Sequence, residues 1–147
     1  MPTTGITSLN HLLRSMSPVL DTSQTYVFAT TPSNPLSTLT SDQLNNIEML
    51  FRESEGWTLI LRQETAQQLS LKTAFPSKKI TLNVHSSLDA VGFLAAVTSR
   101  LARDVGIGVN PVSGFYHDHL FVPAGREGEV MDVLKKMAAE AKGEEGN

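Results

Sequence analysis

Between residues 80 and 134 the chain switches repeatedly between two hydrophobic periods, and this alternation restricts the folds it can adopt. Ile80, Leu82 and Val84 lie two residues apart, which is the spacing of a strand that buries one face. The elements predicted after this strand are a helix, two short strands and a second helix, at about 91–105, 107–114, 115–122 and from 126 onward. The predicted order is therefore βαββα.

This order lacks only the last strand of the ferredoxin-like module, βαββαβ, in which one antiparallel sheet carries both helices on one face. We therefore predict an α+β protein of this class. The second strand of the module lies at a sheet edge, and here it contains Pro111, whose missing N–H is tolerated at edges. The missing strand can come from the β-rich run at 26–28, in which case two lobes exchange a strand.

The chain is predicted to divide near Pro76. Residues 1–76 form a divergent N-terminal lobe with a leading helix, and residues 77–141 form a second lobe. Residues 142–147 are charged and contain two glycines, so we expect a disordered tail there. The first 20 residues are rich in serine and threonine, as transit peptides are, but their apolar spacing favours an ordinary amphipathic helix from about 8 to 16 after a loose start at 1–6.

Within the first lobe, a helix is predicted to begin at Thr40, because Gln43 follows it at capping-box spacing. The apolar residues that continue this helix in the prediction are Leu44, Ile47, Leu50 and Phe51. Strands are predicted at 57–62 and about 71–75, with a short helical turn between them. The lobe is thus predicted to lack one strand of a complete module, and whether it forms its own sheet is left open.

Composition excludes several classes of protein. The net charge is -3 and the basic residues are scattered, which is unlike a nucleic-acid-binding surface. There is no cysteine, so neither disulfides nor thiolate chemistry can occur, and no apolar run approaches the roughly 18 residues that span a bilayer. We therefore expect a cytoplasmic protein that binds neither nucleic acid nor membrane and uses no cofactor.

The segment SLDAVGFLAAVTSRLARDVGIGVNPVSGFYHDHLFVPA resembles ACT domains, in particular the tandem branch related to aspartokinase regulatory domains and CASTOR-type arginine sensors. The shared pattern is a Ser-Leu-Asp-x-x-Gly turn, an alanine-rich helix, Gly-Ile-x-Val on the second strand and Leu-x-Val-Pro on the third. FRESEGWTLIL at 51–61 more loosely resembles the first ACT unit of the same branch. The resemblance implies regulation by a small molecule, often an amino acid, bound at an interface between ACT units, and it does not imply catalysis.

The turn before the first of these helices is the first candidate site. Ser86 and Asp89 have the spacing of a capping box, and a helix start presents N–H groups suited to a carboxylate. Simple capping with a close strand contact explains the same residues. The resemblance implies a ligand between this turn and the edge of the second strand. The predicted ligand-binding residues are Ser86, Ser87, Leu88, Asp89, Gly92, Val109, Asn110, Pro111, Val112 and Ser113.

A second candidate site is the set of histidines His85, His117 and His119, which the predicted strand pairing brings to one face. Three imidazoles suit zinc, whereas the ordinary interpretation is polar residues on an open sheet face. A Ser-His-Asp arrangement can be drawn with Ser113 or Ser87, but no nucleophile elbow accompanies it, so we predict no enzyme and no metal.

Taken together, these observations predict a regulatory or sensor protein that binds a small molecule, with an amino acid as the expected ligand. We expect it to act as a homodimer or through a separate protein partner. Two alternatives stay open at this point. One is a protein-interaction module without a ligand, and the other is a metal-binding protein that uses the three histidines.

Overall fold

A computed structural model describes residues 8–145 of the chain, and these form two compact units. Unit 1 comprises 8–22 and 78–145, and unit 2 comprises 23–77. The loose start predicted at 1–6 lies outside the described residues. The sequence predicts a lobe at 1–76 that includes the leading helix, whereas the structure groups this helix with unit 1.

The elements are numbered along the chain. They are α1 (Leu9–Ser15), β1 (Val19–Leu20), β2 (Tyr26–Thr31), α2 (Pro35–Thr38), α3 (Ser41–Leu44), β3 (Ile47–Arg52), β4 (Trp57–Arg62), α4 (Gln63–Gln68), β5 (Lys72–Thr81), α5 (Phe93–Asp104), β6 (Asn110–Ser113), β7 (Asp118–Pro123) and α6 (Glu127–Glu145). No helix among residues 8–145 is both long enough and apolar enough to cross a membrane.

The strands of unit 2 pair antiparallel in the order β3-β4-β2-β5. With its helices between the strands, unit 2 is a complete βαββαβ module. Val27, Leu59 and Leu61 lie on the face of the sheet that packs against Ala66 of α4. The strand predicted to be missing from the first lobe is therefore present.

The helix predicted through Ile47, Leu50 and Phe51 is wrong, because these residues form the edge strand β3. The capping box of Thr40 and Gln43 is present as predicted, but the helix it starts ends at Leu44. The register of β3 against β4 shifts between Ile47 and Met49. This bulge breaks the two-residue alternation, so the apolar residues take on a spacing that resembles a helix.

β5 is one continuous strand, although the sequence predicts two strands separated by Pro76. Its register against β2 shifts between the Ala74 and Ser77 pairs, and Phe75 has a φ of 58° in the left-handed region. A bulge is one of the few places in a sheet that accommodates a proline, because the extra residue needs no ladder N–H. The first six residues of β5 belong to unit 2 and the last four to unit 1.

In unit 1 the strand order is β1-β5-β7-β6. The predicted βαββα succession is present, and its fourth strand is supplied from earlier in the chain. That strand is β1, whose Val19 and Leu20 pair with Thr81 and Ile80, whereas the run at 26–28 stays in unit 2. β6 ends the strand order, so Pro111 lies on an edge strand as predicted.

Helices α1, α5 and α6 contribute to a single core on one face of the unit 1 sheet. Leu12, Val97 and Leu134, one from each helix, are fully buried there. The strands contribute Ile80, Leu120 and Val122 to this core, and Leu82 joins it just after the end of β5. The amphipathic helix predicted at the N terminus is therefore confirmed, and it is part of the core that supports α5.

The disordered tail predicted from residue 142 is wrong for 142–145, which continue α6, while 146 and 147 lie outside the described residues. Ala138 and Ala141 are buried and hold the last turns of the helix against the core. On its outer side Arg100 of α5 makes two hydrogen bonds to the Glu140 carboxylate, at 2.8 and 3.1 Å. These bonds lower the pKa of Glu140.

Candidate functional site

The turn between β5 and α5 leaves the start of a helix without a side-chain cap. α5 begins at Phe93, and the residue before it, Gly92, has a φ of 90°. The capping box predicted for Ser86 and Asp89 is not formed, because the Asp89 N–H instead donates to Ser87 Oγ at 3.1 Å inside the turn. A left-handed residue cannot continue a helix, which is why α5 begins after Gly92 rather than near Ser86.

The later start also changes which face of α5 is buried. The buried residues are Phe93, Val97 and Leu101. The apolar spacing of the sequence predicts a different face, which shares only Leu101 with this set and consists of Val91, Leu94, Ala95, Thr98, Leu101, Ala102 and Val105. Val91, which begins that predicted face, is 83% exposed. The helix itself is confirmed, but it begins later than predicted and buries a different face.

A cavity of about 190 Å³ lies at this helix start. It is bounded by the turn, the first turn of α5, the end of β6 and the start of β7. The lining residues are Ser86, Ser87, Leu88, Ala90, Gly92, Phe93, Leu94, Ala95, Ser113 and Asp118. It is smaller than a typical drug-binding pocket of roughly 300 Å³ or more and suits a ligand of metabolite size.

Asp118 supplies a fixed carboxylate in the cavity wall. Its side chain accepts a hydrogen bond of 2.8 Å from Ser86 Oγ, and both residues are only 6% exposed. Ser113 lies directly opposite Asp118 in the β6–β7 ladder. A buried carboxylate is costly unless it is hydrogen-bonded. Ser86 supplies one donor to Asp118, and the two carboxylate oxygens have capacity for a further one.

The start of α5 supplies the opposite pole. The Ala96 N–H donates to the Gly92 carbonyl at 2.8 Å and makes the first helical bond. The N–H groups of Phe93, Leu94 and Ala95 precede that bond and have no acceptor within the helix. Together with the helix dipole they form a partial positive charge, so the cavity has a positive and a negative end.

The structure brings together part of the predicted ligand-binding set. The predicted residues that line the cavity are Ser86, Ser87, Leu88, Gly92 and Ser113. Those that do not line it are Asp89, Val109, Asn110, Pro111 and Val112. The cavity reaches β6 only at its last residue, because α5 begins several residues later than predicted.

Sequence reasoning missed Asp118 and the first turn of α5. A signal for Asp118 was available, because Asp118, Leu120 and Val122 are two residues apart and share a strand face. A carboxylate in register with two core residues must be buried or lie at the rim of the core. The lining residues Phe93, Leu94 and Ala95 were not predicted, because the sequence places the start of α5 too early.

The rings of His117 and His119 have centroids 6.5 Å apart, and each of the three histidines also has a further contact of its own. His119 Nδ1 lies 2.9 Å from Thr81 Oγ1, and His117 Nδ1 lies 3.5 Å from the Val84 carbonyl. His85 packs beside Tyr116, with ring centroids 5.7 Å apart. Over the part of the chain that the structure describes, no group of three or more histidine, cysteine, aspartate or glutamate residues could hold a metal ion.

Unit 2 contains the equivalent turn between its first strand and first helix. There the Asn34 side chain accepts a hydrogen bond of 3.0 Å from the Leu36 N–H and caps α2. Pro35 at the helix start is buried and has no N–H to offer. The space at this turn is about 30 Å³, roughly the share of liquid volume of one water molecule.

Two ACT-domain family models match the chain in tandem, one over residues 4–78 and the other over 75–136. The boundary between the matches falls at the position where the structure passes from unit 2 to the later part of unit 1. No sequence among the curated proteins matches the chain.

Several solved structures are similar. A Vibrio cholerae protein of unknown function, described as a possible transport protein, is 40% identical, with 88% of this chain and 95% of that one covered at a TM-score of 0.74. The ligand-free regulatory subunit of aspartate kinase from Thermus thermophilus is 8% identical, with 82% and 97% covered and a TM-score of 0.58. E. coli aspartokinase III in complex with aspartate and ADP is 12% identical, with 86% and 33% covered and a TM-score of 0.62. The two aspartate kinase proteins are less than 25% identical to this chain, so their similarity shows a shared fold only.

Proposed function

Because the chain belongs to the ACT-domain family, whose members are small-molecule-binding regulatory domains, we propose that it senses an α-amino acid bound in the cavity of unit 1. The observation that carries this proposal is the pairing of Asp118 with the uncapped start of α5 across one cavity. The aspartate held by E. coli aspartokinase III, a protein of related fold, supports the same class of ligand.

The two poles of the cavity match the two charges of an amino acid. Its carboxylate accepts hydrogen bonds from the N–H groups at the start of α5, where the helix dipole favours an anion. Its ammonium group donates to Asp118, whose carboxylate already accepts one bond from Ser86. A simple carboxylic acid leaves Asp118 without its counter-ion, and a simple amine leaves the helix start unused.

The proposed function is regulatory rather than catalytic. Leu88 lines the cavity and is 69% exposed, and Val91 in the same turn is 83% exposed. Exposed apolar side chains beside a ligand offer a surface for a second copy of the chain or a separate partner. A ligand shifts such an equilibrium only if it binds one arrangement more tightly than the other, and the turn is the element proposed to differ. The absence of cysteine suits the reducing cytoplasm, where we place this activity.

The proposal is tested by a thermal-shift screen of the purified chain against the common amino acids. A ligand at 100 times its dissociation constant stabilises the folded state by about 2.7 kcal/mol, which a melting curve resolves. The matching carboxylic acid and the matching amine of any hit are screened beside it. We expect both to bind more weakly than the amino acid.

The decisive variant is Asp118→Asn, which keeps an oxygen to accept the Ser86 bond but removes the charge. We expect it to weaken the hit by about tenfold or more, as for the loss of a charge-assisted hydrogen bond. Asp89→Asn is the matched control, because Asp89 is exposed and does not line the cavity. Equal affinities of the two variants for the hit, or no hit among the amino acids, would refute the proposal.

A further inference from the structure

The sheet of unit 2 carries a second groove, of about 310 Å³, on the face opposite its helices. The strand register places Thr58, Thr30 and Lys72 side by side on β4, β2 and β5. Directly paired residues point to the same side of a sheet, so these three side chains share a face. Ala29 and Leu59 point to the other side, into the core beneath.

The next row of the same face is apolar. Phe28 pairs with Ile60 on one neighbouring strand and with Ala74 on the other. The Phe28 ring is fixed by an edge-to-face contact with Phe75, at a centroid distance of 5.8 Å. The groove therefore has a row of polar side chains beside an aromatic and aliphatic floor.

The polar row carries charges of opposite sign at its two ends. Glu53 lines the groove and accepts a hydrogen bond from Thr58 Oγ1, while Lys72 lines it from β5. Thr58 and Lys72 lie on either side of Thr30, so their backbones are separated by two strand spacings, roughly 10 Å. This separation leaves room above Thr30 for one small head group between a carboxylate and an ammonium.

Gly56 brings the acidic end into place. It lies in the β3–β4 turn, where its N–H and carbonyl bond to Glu53. A Cβ at Gly56 would lie 3.1 Å from the Thr31 carbonyl oxygen and 3.4 Å from Thr30 Oγ1, and the residue has a φ of 152°. Glycine thus permits the turn to approach β2 closely, which sets Glu53 at the end of the row.

We propose that this groove is a second ligand site, which binds a small zwitterion with an apolar side chain. The ligand's ammonium lies at Glu53, its carboxylate at Lys72 and Thr30, and its side chain on Phe28 and Ala74. This site is separate from the cavity at α5 and does not depend on the function proposed for it. It gives unit 2, whose helix turn is closed, a binding surface of its own.

The test uses L-leucine and two truncated forms of it, isocaproate, which lacks the ammonium, and isoamylamine, which lacks the carboxylate. Binding is measured by calorimetry on the full chain and located by amide chemical shifts. We expect L-leucine to shift the amides of Thr30, Thr73 and Ala74. Each truncated probe loses one charged contact, so we expect it to bind about tenfold more weakly or worse.

Two variants assign the charges. Lys72→Met keeps the aliphatic stem, and we expect it to weaken L-leucine about tenfold while leaving isoamylamine unchanged. Glu53→Gln keeps an acceptor for Thr58, and we expect it to weaken L-leucine while leaving isocaproate unchanged. Lys135→Met on the exposed side of α6 is the control for a lost surface charge.

Three results would overturn this inference. They are the absence of saturable binding, amide shifts confined to 86–95, and equal affinities of Lys72→Met and Lys135→Met for L-leucine. Asp118→Asn separates this site from the cavity of unit 1, because we expect it to leave the shifts at Thr30 and Thr73 intact. Failure of the α5 cavity to bind amino acids leaves these measurements unaffected.

Discussion

The two units place the same structural element, a turn from a strand into a helix, in opposite states. In unit 2 the turn is closed by the Asn34 cap and by Pro35, around a space of about 30 Å³. In unit 1 the turn ends in Gly92, no side chain caps the helix, and a cavity of about 190 Å³ remains. Because a helix start must satisfy its N–H groups, a turn that does not cap itself is suited to accept a cap from a ligand.

This difference shows why the fold by itself does not identify the binding unit. Both units are ACT domains with related strand orders, and both contain a helix after the first strand. What distinguishes them is the residue that precedes the helix and the charge opposite it. The predictions below test this comparison, beginning with the largest expected effect.

The largest effect should come from the core beneath the open turn. Leu12→Ala removes a fully buried side chain of α1 and should lower the free energy of unfolding of unit 1 by about 2–5 kcal/mol. Native-state hydrogen exchange should show the loss at the amides of Val97 and Leu134. Leu59→Ala is the counterpart in unit 2 and should instead lower protection around Val27. Loss of the same protection in both variants would show that the division into units is wrong.

Filling the open turn should abolish ligand-induced stabilisation. Ser113→Phe places an aromatic side chain at the cavity wall, and a ligand that stabilises by about 2.7 kcal/mol at 100 times its dissociation constant should lose that effect. Asn110→Phe is the control, because Asn110 is an exposed residue of the same strand outside the cavity. If the ligand still raises the melting temperature of Ser113→Phe, the open turn of unit 1 is not the binding site.

Uncapping the closed turn should cost stability without affecting the ligand. Asn34→Ala removes the oxygen that accepts the Leu36 N–H and should lower the free energy of unfolding by about 1 kcal/mol. Ser33→Ala, at the exposed residue next to it, serves as the control in urea titrations. A change in ligand affinity in Asn34→Ala would mean that the turn of unit 2 takes part in binding.

The smallest effect concerns the ion pairs of Arg100, one to Glu140 of α6 and one to Asp104 within α5. Hydrogen bonds from Arg100 lower the pKa of Glu140 and of Asp104, so these carboxylates stabilise the fold above their ordinary pKa of about 4 and lose this contribution as pH falls through the lowered folded-state pKa. Arg100→Met should therefore be less stable than the parent protein at neutral pH, and the difference should shrink at acid pH as the two carboxylates become protonated. Urea unfolding at both pH values measures this, with Lys135→Met as the control. A difference that persists in acid would assign the effect to packing of the Arg100 stem.

The fold class could be predicted from the sequence because its strongest signals are local and periodic. Ile80 and Leu82 are predicted two residues apart and both lie in the core, although β5 ends at Thr81, and α5 and α6 are long enough to be recognised as helices. The same periodicity failed at Ile47–Arg52 and across Pro76, where bulges alter the register of a strand. A bulge depends on the partner strand, so it leaves no clear mark on the chain that contains it.

The candidate site was only partly predictable for a related reason. Ser86, Gly92 and Ser113 were found because the turn and the edge strand are visible as sequence patterns. The position of the helix start depended on the backbone conformation of Gly92, which the sequence does not specify. Asp118 was not predicted as a site residue, although its register with Leu120 indicates the core side of the strand.

The strand that β1 adds to unit 1 has a consequence for synthesis on the ribosome. Unit 2 is a continuous stretch of chain and can close as soon as residue 77 has emerged, whereas residues 8–22 must wait for β5 and for the helices that follow it. Long-range pairings of this kind form late, because the intervening chain must first be ordered. The half of the molecule that holds the α5 cavity is therefore completed last, and a prematurely terminated polypeptide would carry a folded unit 2 without that cavity.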